Sequence, residues 1–243
     1  MGPHAPLFTV EREIGVGATG RVALARLLAP LADLPPGAAV AVKRLRPELA
    51  LDPVAREAFE TEAQAGLGVR HPGLAAVLYA GRDAEGAYHV LPYVPGRTLL
   101  EALESSGPLP EPLLRAVAVQ VSGGLAALHA AGWAHGDVKP ENMRLDDSGR
   151  AVLLDLGFVE PLEPDVRADA SSTRQAGSLA YLAPERARGG RADAAADVFA
   201  LGVTIYELAT GAHPFVDAPG LASIAHGQPS SGRLLRRSLE RPG

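Results

Sequence analysis

Short apolar runs broken by turn residues fill the first third of the chain, and longer apolar stretches at helical spacing fill the remainder. Phe8–Ile14 and Val22–Leu28 read as strands, although RVALARLLA in the second also fits a helix. Val40–Leu45 is a short β-branched run ending in basic residues, and the Pro30, Pro35, Pro36 and Gly37 before it predict an extended surface loop. From Val54 to Leu67 the spacing is helical, with Asp52 in front as a cap and Pro53 in the first turn. Leu74–Ala80 and Ala87–Val94 predict two strands joined through Gly81–Gly86. After Pro95-Gly96 the character changes. Pro112–Ala130 predicts a long helix that carries Gly123 and Gly124 at some cost, and Asp197–Thr210 predicts a second, stopped by Gly211 and Pro214. Between them Leu145 and Val152–Leu154 flank the turn signal DDSGR and predict a small hairpin. The pattern shows no internal repeat and predicts a β-rich part with one helix, then a helical part, with the boundary near Val94–Gly96.

Composition narrows what such a chain could do. Of the 243 residues 47% are hydrophobic and 21% charged, enough for a sizeable core and too apolar for wholesale disorder. A formal charge of −5 argues against nucleic acid or an anionic membrane as the main partner. The chain has no cysteine, which removes disulfides, thiolate nucleophiles and Cys-based metal sites and suits a reducing cytosol. MGPHAPLFTVEREIG has no basic region followed by an apolar stretch, so no secretion signal is expected. Without a run of about eighteen apolar residues, no membrane segment is expected in this chain either. The seven histidines are scattered, without zinc-site spacing.

The chemistry concentrates in HGDVKPEN, His135 to Asn142, followed by Asp155-Leu156-Gly157. One short loop thus holds an acid, a lysine and an amide, with a second acid beyond the expected hairpin. Transfer of a γ-phosphoryl group needs such a set: a carboxylate to orient a hydroxyl, a cation for the moving phosphate, and oxygen ligands for Mg²⁺. Gly-Asp and Pro-Glu-Asn also suit plain turns, but eight ordered positions with a matched downstream aspartate are far more specific. Nearer the N-terminus, Gly15, Gly17 and Gly20 form G-x-G-x-x-G, a pattern that lets a backbone approach phosphate oxygens. Alone it is weak, expected by chance about 0.3 times in a chain this rich in glycine, and it would also suit a dinucleotide fold. The later Val40-Ala41-Val42-Lys43 changes its weight, since a lysine fixed on a strand can reach phosphates as a point charge.

Taken together, these motifs resemble the protein kinases, with HGDVKPEN, Asp155-Leu156-Gly157 and Val40–Lys43 in place of H-R-D-L-x-x-x-N, D-F-G and V-A-I-K. The resemblance runs in order from Ile14 to Phe215 and looks most like the bacterial (Hanks-type) serine/threonine kinases. It implies one kinase domain over residues 1–243, an α+β bilobal fold with a β-rich N-lobe (about 8–94) and a helical C-lobe (95–243) cut short at its C-terminal end. It also implies ATP and Mg²⁺, with Mn²⁺ able to substitute, protein substrates bearing Ser or Thr, and autophosphorylation. A cytoplasmic location follows, alone or as the cytoplasmic portion of a longer protein, with a dimer through the N-lobe compatible.

The roles carry over residue by residue. Asp137 would orient the substrate hydroxyl and Lys139 neutralise the γ-phosphoryl group, while Asn142 and Asp155 would hold the metal. Lys43 would take the α- and β-phosphates. Its holding carboxylate is Glu62 by counting back from His71-Pro72; Glu57 and Glu60 lie on the same expected helix, with Glu60 the closest rival. Ile14, Gly15, Gly17, Gly20, Val22 and Ala41 would line the nucleotide. In the hinge-like run Tyr88–Gly96, Leu91 would gate the back pocket, and Pro92 and Val94 would face adenine through backbone groups. His135 reads as a packed, hydrogen-bonded histidine rather than a base. Gly177–Glu185 resembles the substrate-docking loop and A-P-E motif, with Ser178 bonding the catalytic Asp and Lys. Asp197 matches the buried anchor of the catalytic loop, although it also reads as an ordinary N-cap.

Several positions depart from the pattern. Gly136 replaces the arginine that grips a phosphorylated activation loop, so Ser171, Ser172 and Thr173 should not be needed through that contact. Leu156 replaces the usual phenylalanine, a tolerable apolar swap. Arg144 stands where an aliphatic side chain supports adenine, free to stack on the base or swing to solvent. Gly66, a turn after Glu62, replaces a larger apolar residue and predicts a loosely held helix. Only 28 residues follow Phe215, too few to supply the arginine partner of Glu185. A nucleotide- or partner-binding pseudokinase scaffold is the alternative reading, and small-molecule phosphotransfer a third.

Overall fold

A computed structural model describes residues 6–17, 19–163 and 179–215. The described residues form two compact units, one lying within 1–69 and 75–94 and the other within 70–74 and 95–243.

The first unit is a five-stranded antiparallel sheet in the order β1-β2-β3-β5-β4, with one helix. Its strands are β1 (Phe8–Val16), β2 (Gly20–Leu27) and β3 (Ala39–Leu45), then β4 (Tyr79–Asp83) and β5 (Gly86–Pro92). The helical alternative for RVALARLLA is therefore set aside: strand pairing on both sides wins over local propensity. Period-two alternation sorts the side chains. Val40 and Val42 of β3 join Ala25, Leu27, Tyr88 and Val90 in an apolar cluster, capped by Leu31 and Leu34 from the proline-rich loop. Ala41 and Lys43 therefore turn to the opposite face. The helix α1 (Pro53–Leu67) begins where expected, because Asp52 accepts hydrogen bonds from the Val54 and Ala55 amides.

One strand falls elsewhere than predicted. Residues 74–78 are not part of the strand; pairing starts at Tyr79 and includes Gly81, which was expected in the turn. Leu74, which belongs to the second unit, bridges within it to Leu153, and Ala75, Ala76 and Val77 are buried without a ladder. A continuous apolar run records burial and carries no signal of which strand it pairs with. The reversal comes at Ala84-Glu85, where Asp83 accepts a hydrogen bond from the Glu85 amide.

The second unit is mainly helical. It opens with β6 (Arg97–Thr98) and α2 (Leu99–Ser106), continues with α3 (Glu111–Ala130), and carries α4 (Pro184–Ala187) and α5 (Ala194–Thr210). Two small ribbons hold its loops: β7 (Trp133–Ala134) pairs with β10 (Glu160–Pro161), and β8 (Met143–Leu145) with β6 and β9 (Ala151–Leu153). The β8–β9 hairpin is the one expected around DDSGR. Helix α2 was not anticipated. Thr98 and Glu101 form a full capping box at its start, and Leu99 and Ala102 are buried.

Helix α3 is long and apolar enough to cross a membrane by length and composition (mean hydropathy 1.3), although it holds no unbroken run of about eighteen apolar residues. One stripe of it, Val117, Val121, Leu125 and Leu128, is buried, and the helix packs on α5 and β9, while Val119 is exposed. Gly124 has a reason to be there: a Cβ would sit 2.7 Å from the Gly73 carbonyl oxygen. Helix α5 starts three residues earlier than predicted. Asp193 is its cap, accepting from the Ala196 amide, and Asp197 lies inside the first turn. The N-cap reading of Asp197 is thereby excluded.

Candidate active site

In the first unit the sheet face opposite the apolar cluster carries the polar residues. Lys43 Nζ donates to both carboxylate oxygens of Glu62 at 2.8 Å, and the two residues are 7% and 1% exposed. Glu62, not Glu60, is therefore the partner that the helix presents to β3. A buried pair of this quality offsets the desolvation of two charges only by such close, two-point contact. His89, next to Lys43 across the β3–β5 ladder, stacks on Phe59 at 3.8 Å and sets Nδ1 3.9 Å from Glu62. Sequence reasoning passed over His89, a polar residue in an apolar strand.

The glycine-rich turn is the tip of the β1–β2 hairpin. Gly15 pairs with Val22 and the Gly17 amide donates to Gly20, while Ile14 and Val22 are partly buried. Leu91 is buried opposite Ala41, Pro92 pairs with Val40 at the end of β5, and Val94 is buried.

Gly66 overturns the expectation of a loosely held helix. A Cβ there would lie 2.6 Å from Val77 Cγ2 and 2.7 Å from the Val77 amide nitrogen. Val77 is fully buried and fills the space a larger residue would take, so α1 packs close against it.

In the second unit the loop between β7 and β8 is a hydrogen-bonded network. Asp197 accepts from the His135 amide (2.7 Å), the Gly136 amide (2.9 Å) and His129 Nε2 (2.8 Å), while 1% exposed. His135 is fully buried; its Nδ1 accepts from the Asp137 amide, so Nε2 carries the proton and donates to the Leu154 carbonyl. Both ring nitrogens are thus committed, as a packed histidine requires.

Asp137 is 6% exposed, and its Oδ2 meets Lys139 Nζ at 2.7 Å and Asn142 Nδ2 at 2.8 Å. Asn142 Nδ2 also donates to the Asp137 carbonyl. Both partners are acceptors, so the amide nitrogen must face them and Oδ1 is the end left for a cation. Asp155 adopts a left-handed φ of 62°, uncommon outside glycine and typical of constrained functional positions, and accepts from the Gly157 amide. Leu156 is buried, in keeping with an apolar swap.

Among the described residues no cluster of three or more His, Asp or Glu could cage a metal. The donor set of Asn142 and Asp155 fits Mg²⁺ all the same, since that ion takes one or two protein groups and completes its shell with water and phosphate oxygens.

Arg144 neither stacks nor swings free: its Nη2 hydrogen bonds to the Gly96 carbonyl, anchoring β8 to the residue before β6. Tyr181 donates to Glu207 at 2.6 Å, and burial, reinforced by that carboxylate, pushes its phenol well above the ordinary value. Glu185 is exposed and makes no ion pair with another described residue. Gly177, Ser178, Ser171, Ser172, Thr173 and the segment after Phe215 lie outside the described residues.

Comparison with known proteins places the chain in a family. A family model for the protein kinase domain matches residues 8–231. The chain is 38% identical over 220 residues to the serine/threonine-protein kinase PknL of Mycobacterium tuberculosis, covering 90% of this chain and 53% of that protein. It is 37% identical over 201 residues to the probable serine/threonine-protein kinase CE0033 of Corynebacterium efficiens, covering 81% and 30%. To PrkC of Bacillus subtilis, a serine/threonine-protein kinase, it is 33% identical over 218 residues, covering 90% and 32%. It thus spans between 30% and 53% of the length of these relatives. On this match and the residues above, the chain belongs to the protein kinase domain family.

Proposed function

We propose that this chain transfers the γ-phosphoryl group of ATP to Ser and Thr hydroxyls of protein substrates, its own included. The observation that supports this most is the intact polar set: Lys43 paired with Glu62 in one unit, and Asp137 bonded to Lys139 and Asn142 in the other. A scaffold that only bound a partner would have no need of these buried charges.

In the reaction a substrate Oγ–Pγ bond forms as the bond from Pγ to the β,γ-bridging oxygen breaks, and ADP leaves. Asp137 orients the hydroxyl and takes its proton as transfer proceeds. Lys139 neutralises charge on the moving group, and its contact with Asp137 keeps the two together. Lys43, steadied by Glu62, holds the α- and β-phosphates. Ile14, Gly15, Gly17, Gly20, Val22, Ala41, Leu91, Pro92 and Val94 line the nucleotide. Asn142 and Asp155 would hold Mg²⁺ (or Mn²⁺), which when bound draws negative charge from the phosphates. Because ATP is the donor, the reaction belongs in the cytoplasm, whether the chain acts alone or within a longer protein.

A dimer through the first unit would have exposed apolar side chains to cover, among them Leu51 before α1 and Val54 in its first turn, 91% and 63% exposed. Sedimentation at rising concentration tests that dimer. For the activity, the chain is incubated with ATP, Mg²⁺ and generic protein substrates and the phosphosites are mapped. Phosphate on Ser and Thr is expected, and its disappearance with EDTA. Phosphate confined to Tyr, or transfer indifferent to EDTA, would contradict the reading.

A further inference from the structure

Gly136, between His135 and Asp137, has a φ of +79°, and a Cβ there would lie 2.4 Å from the Phe158 carbonyl oxygen. The loop is therefore shaped around a glycine, and a side chain at this position would force Phe158 away. Beside it stands another guanidinium: Arg186 Nη1 is 3.5 Å from where that Cβ would be. Gly136, Asp137, Tyr181, Leu182, Arg186 and Asp197 line one small cavity.

Arg186 is held by Glu160. Its Nη1 lies 3.3 Å from Glu160 Oε1, close enough for an ion pair but off hydrogen-bond alignment, and the side chains are 7% and 12% exposed. The other carboxylate oxygen of Glu160 accepts from the Ala192 amide at 3.1 Å and faces Arg191 Nε at 3.7 Å. In the β7–β10 ribbon Glu160 pairs with Ala134, the residue before His135. Glu160 thus touches the root of the catalytic loop through its backbone, and through its side chain the helix that follows Leu179–Ala183.

We propose that Arg186, paired with Glu160, is a positioning residue that locks the peptide-docking segment onto the catalytic loop, so that no phosphate on the chain is needed for that order. The proposal rests on the kinase reading for its functional effect and on the ion pair alone for its structural one. Glu160 supplies a negative charge within the chain, and Arg186 a guanidinium next to Gly136, which itself supplies none. A buried pair joining two segments holds them at all times, whereas a phosphate would do so only when present.

The test uses the full chain, treated with phosphatase, as wild type, Arg186→Met, Arg186→Lys, Glu160→Gln and the Arg186→Met/Glu160→Gln double. Three quantities are read: kcat/KM for a Ser/Thr peptide, KM for ATP, and amide exchange over residues 135–137 and 179–185. Arg186→Met should lower kcat/KM for peptide at least tenfold, leave KM for ATP within twofold, and speed exchange in both segments at least tenfold. Arg186→Lys should recover most of the loss, and the double should be no worse than Arg186→Met. Exchange and peptide kinetics within twofold of wild type in Arg186→Met would overturn the proposal, as would equal loss in the Met and Lys variants. A wild type that transfers no phosphate, yet shows Arg186-dependent protection, would sink the kinase reading and leave the positioning role supported.

Discussion

Gly66→Ala sets two opposed effects against each other, and the structure says which should win. Alanine is the better helix former, favoured over glycine by at most about 1 kcal/mol so near the helix end. Against that, its Cβ would lie 2.6 Å from Val77 Cγ2, 2.7 Å from the Val77 nitrogen and 2.8 Å from Val77 Cβ. Val77 has no exposed surface, and a backbone nitrogen cannot rotate aside, so α1 must move. Overpacking of this kind costs roughly 1–3 kcal/mol, so the net expectation is a loss of about 1–2 kcal/mol. In a unit the size of a small domain each kcal/mol shifts the melting temperature by roughly 4–8 °C. Thermal unfolding of Gly66→Ala should therefore show a fall of several degrees, and because α1 carries Glu62, a rise in KM for ATP beside it. Gly66→Ala/Val77→Ala should recover part of the loss by opening the space. A variant that melts at or above wild type would refute the packing argument and restore the idea of a loosely held helix.

Three further expectations follow from the geometry. Lys43→Met leaves the Glu62 carboxylate buried without its cation, which should cost about 3–5 kcal/mol of stability, and Lys43→Met/Glu62→Gln should regain most of it in urea unfolding; equal stability of the two would count against a buried pair. Asp197→Asn turns one of two acceptor oxygens into a donor facing the His135 or Gly136 amide, so stability should drop by about 1–3 kcal/mol and transfer should fall with it, measured by melting and steady-state kinetics. Ser171→Ala/Ser172→Ala/Thr173→Ala should keep most of the transfer rate, because Gly136 offers no guanidinium to a phosphate on that loop; near-complete loss would overturn this.

Much of the arrangement was legible because local chemistry agreed with the final structure. Asp52 before Pro53 located the start of α1 and DDSGR the β8–β9 turn, whereas Glu62 was singled out from three acids on one helix only by the register of the family resemblance, counted back from His71-Pro72. Other features depend on what packs against what, which periodicity does not record. Leu74–Ala80 looked like a strand because it is apolar throughout, yet only Tyr79 and Ala80 of it pair in β4, and Ala75–Val77 is buried without a ladder. Gly66 looked like a gap because glycine has no side chain, while the neighbour that fills the space is eleven residues away in sequence. Helix α2 did leave a trace, the capping box of Thr98 and Glu101, too short to weigh without its buried face. Glu160 and Arg186 left none, since a charge pair across twenty-six positions has no local signature.

The central claim is tested most directly by the rate at which labelled γ-phosphate passes from ATP to protein, in Mg²⁺, for the wild type beside Asp137→Asn. The substitution keeps the shape and a hydrogen-bonding side chain next to Lys139 and Asn142 but removes the carboxylate that takes the proton. Transfer to Ser and Thr by the wild type, reduced at least a hundredfold in a folded Asp137→Asn that still binds ATP, is the predicted result. Equal label in the two proteins, or none in a folded, ATP-binding wild type, would contradict it.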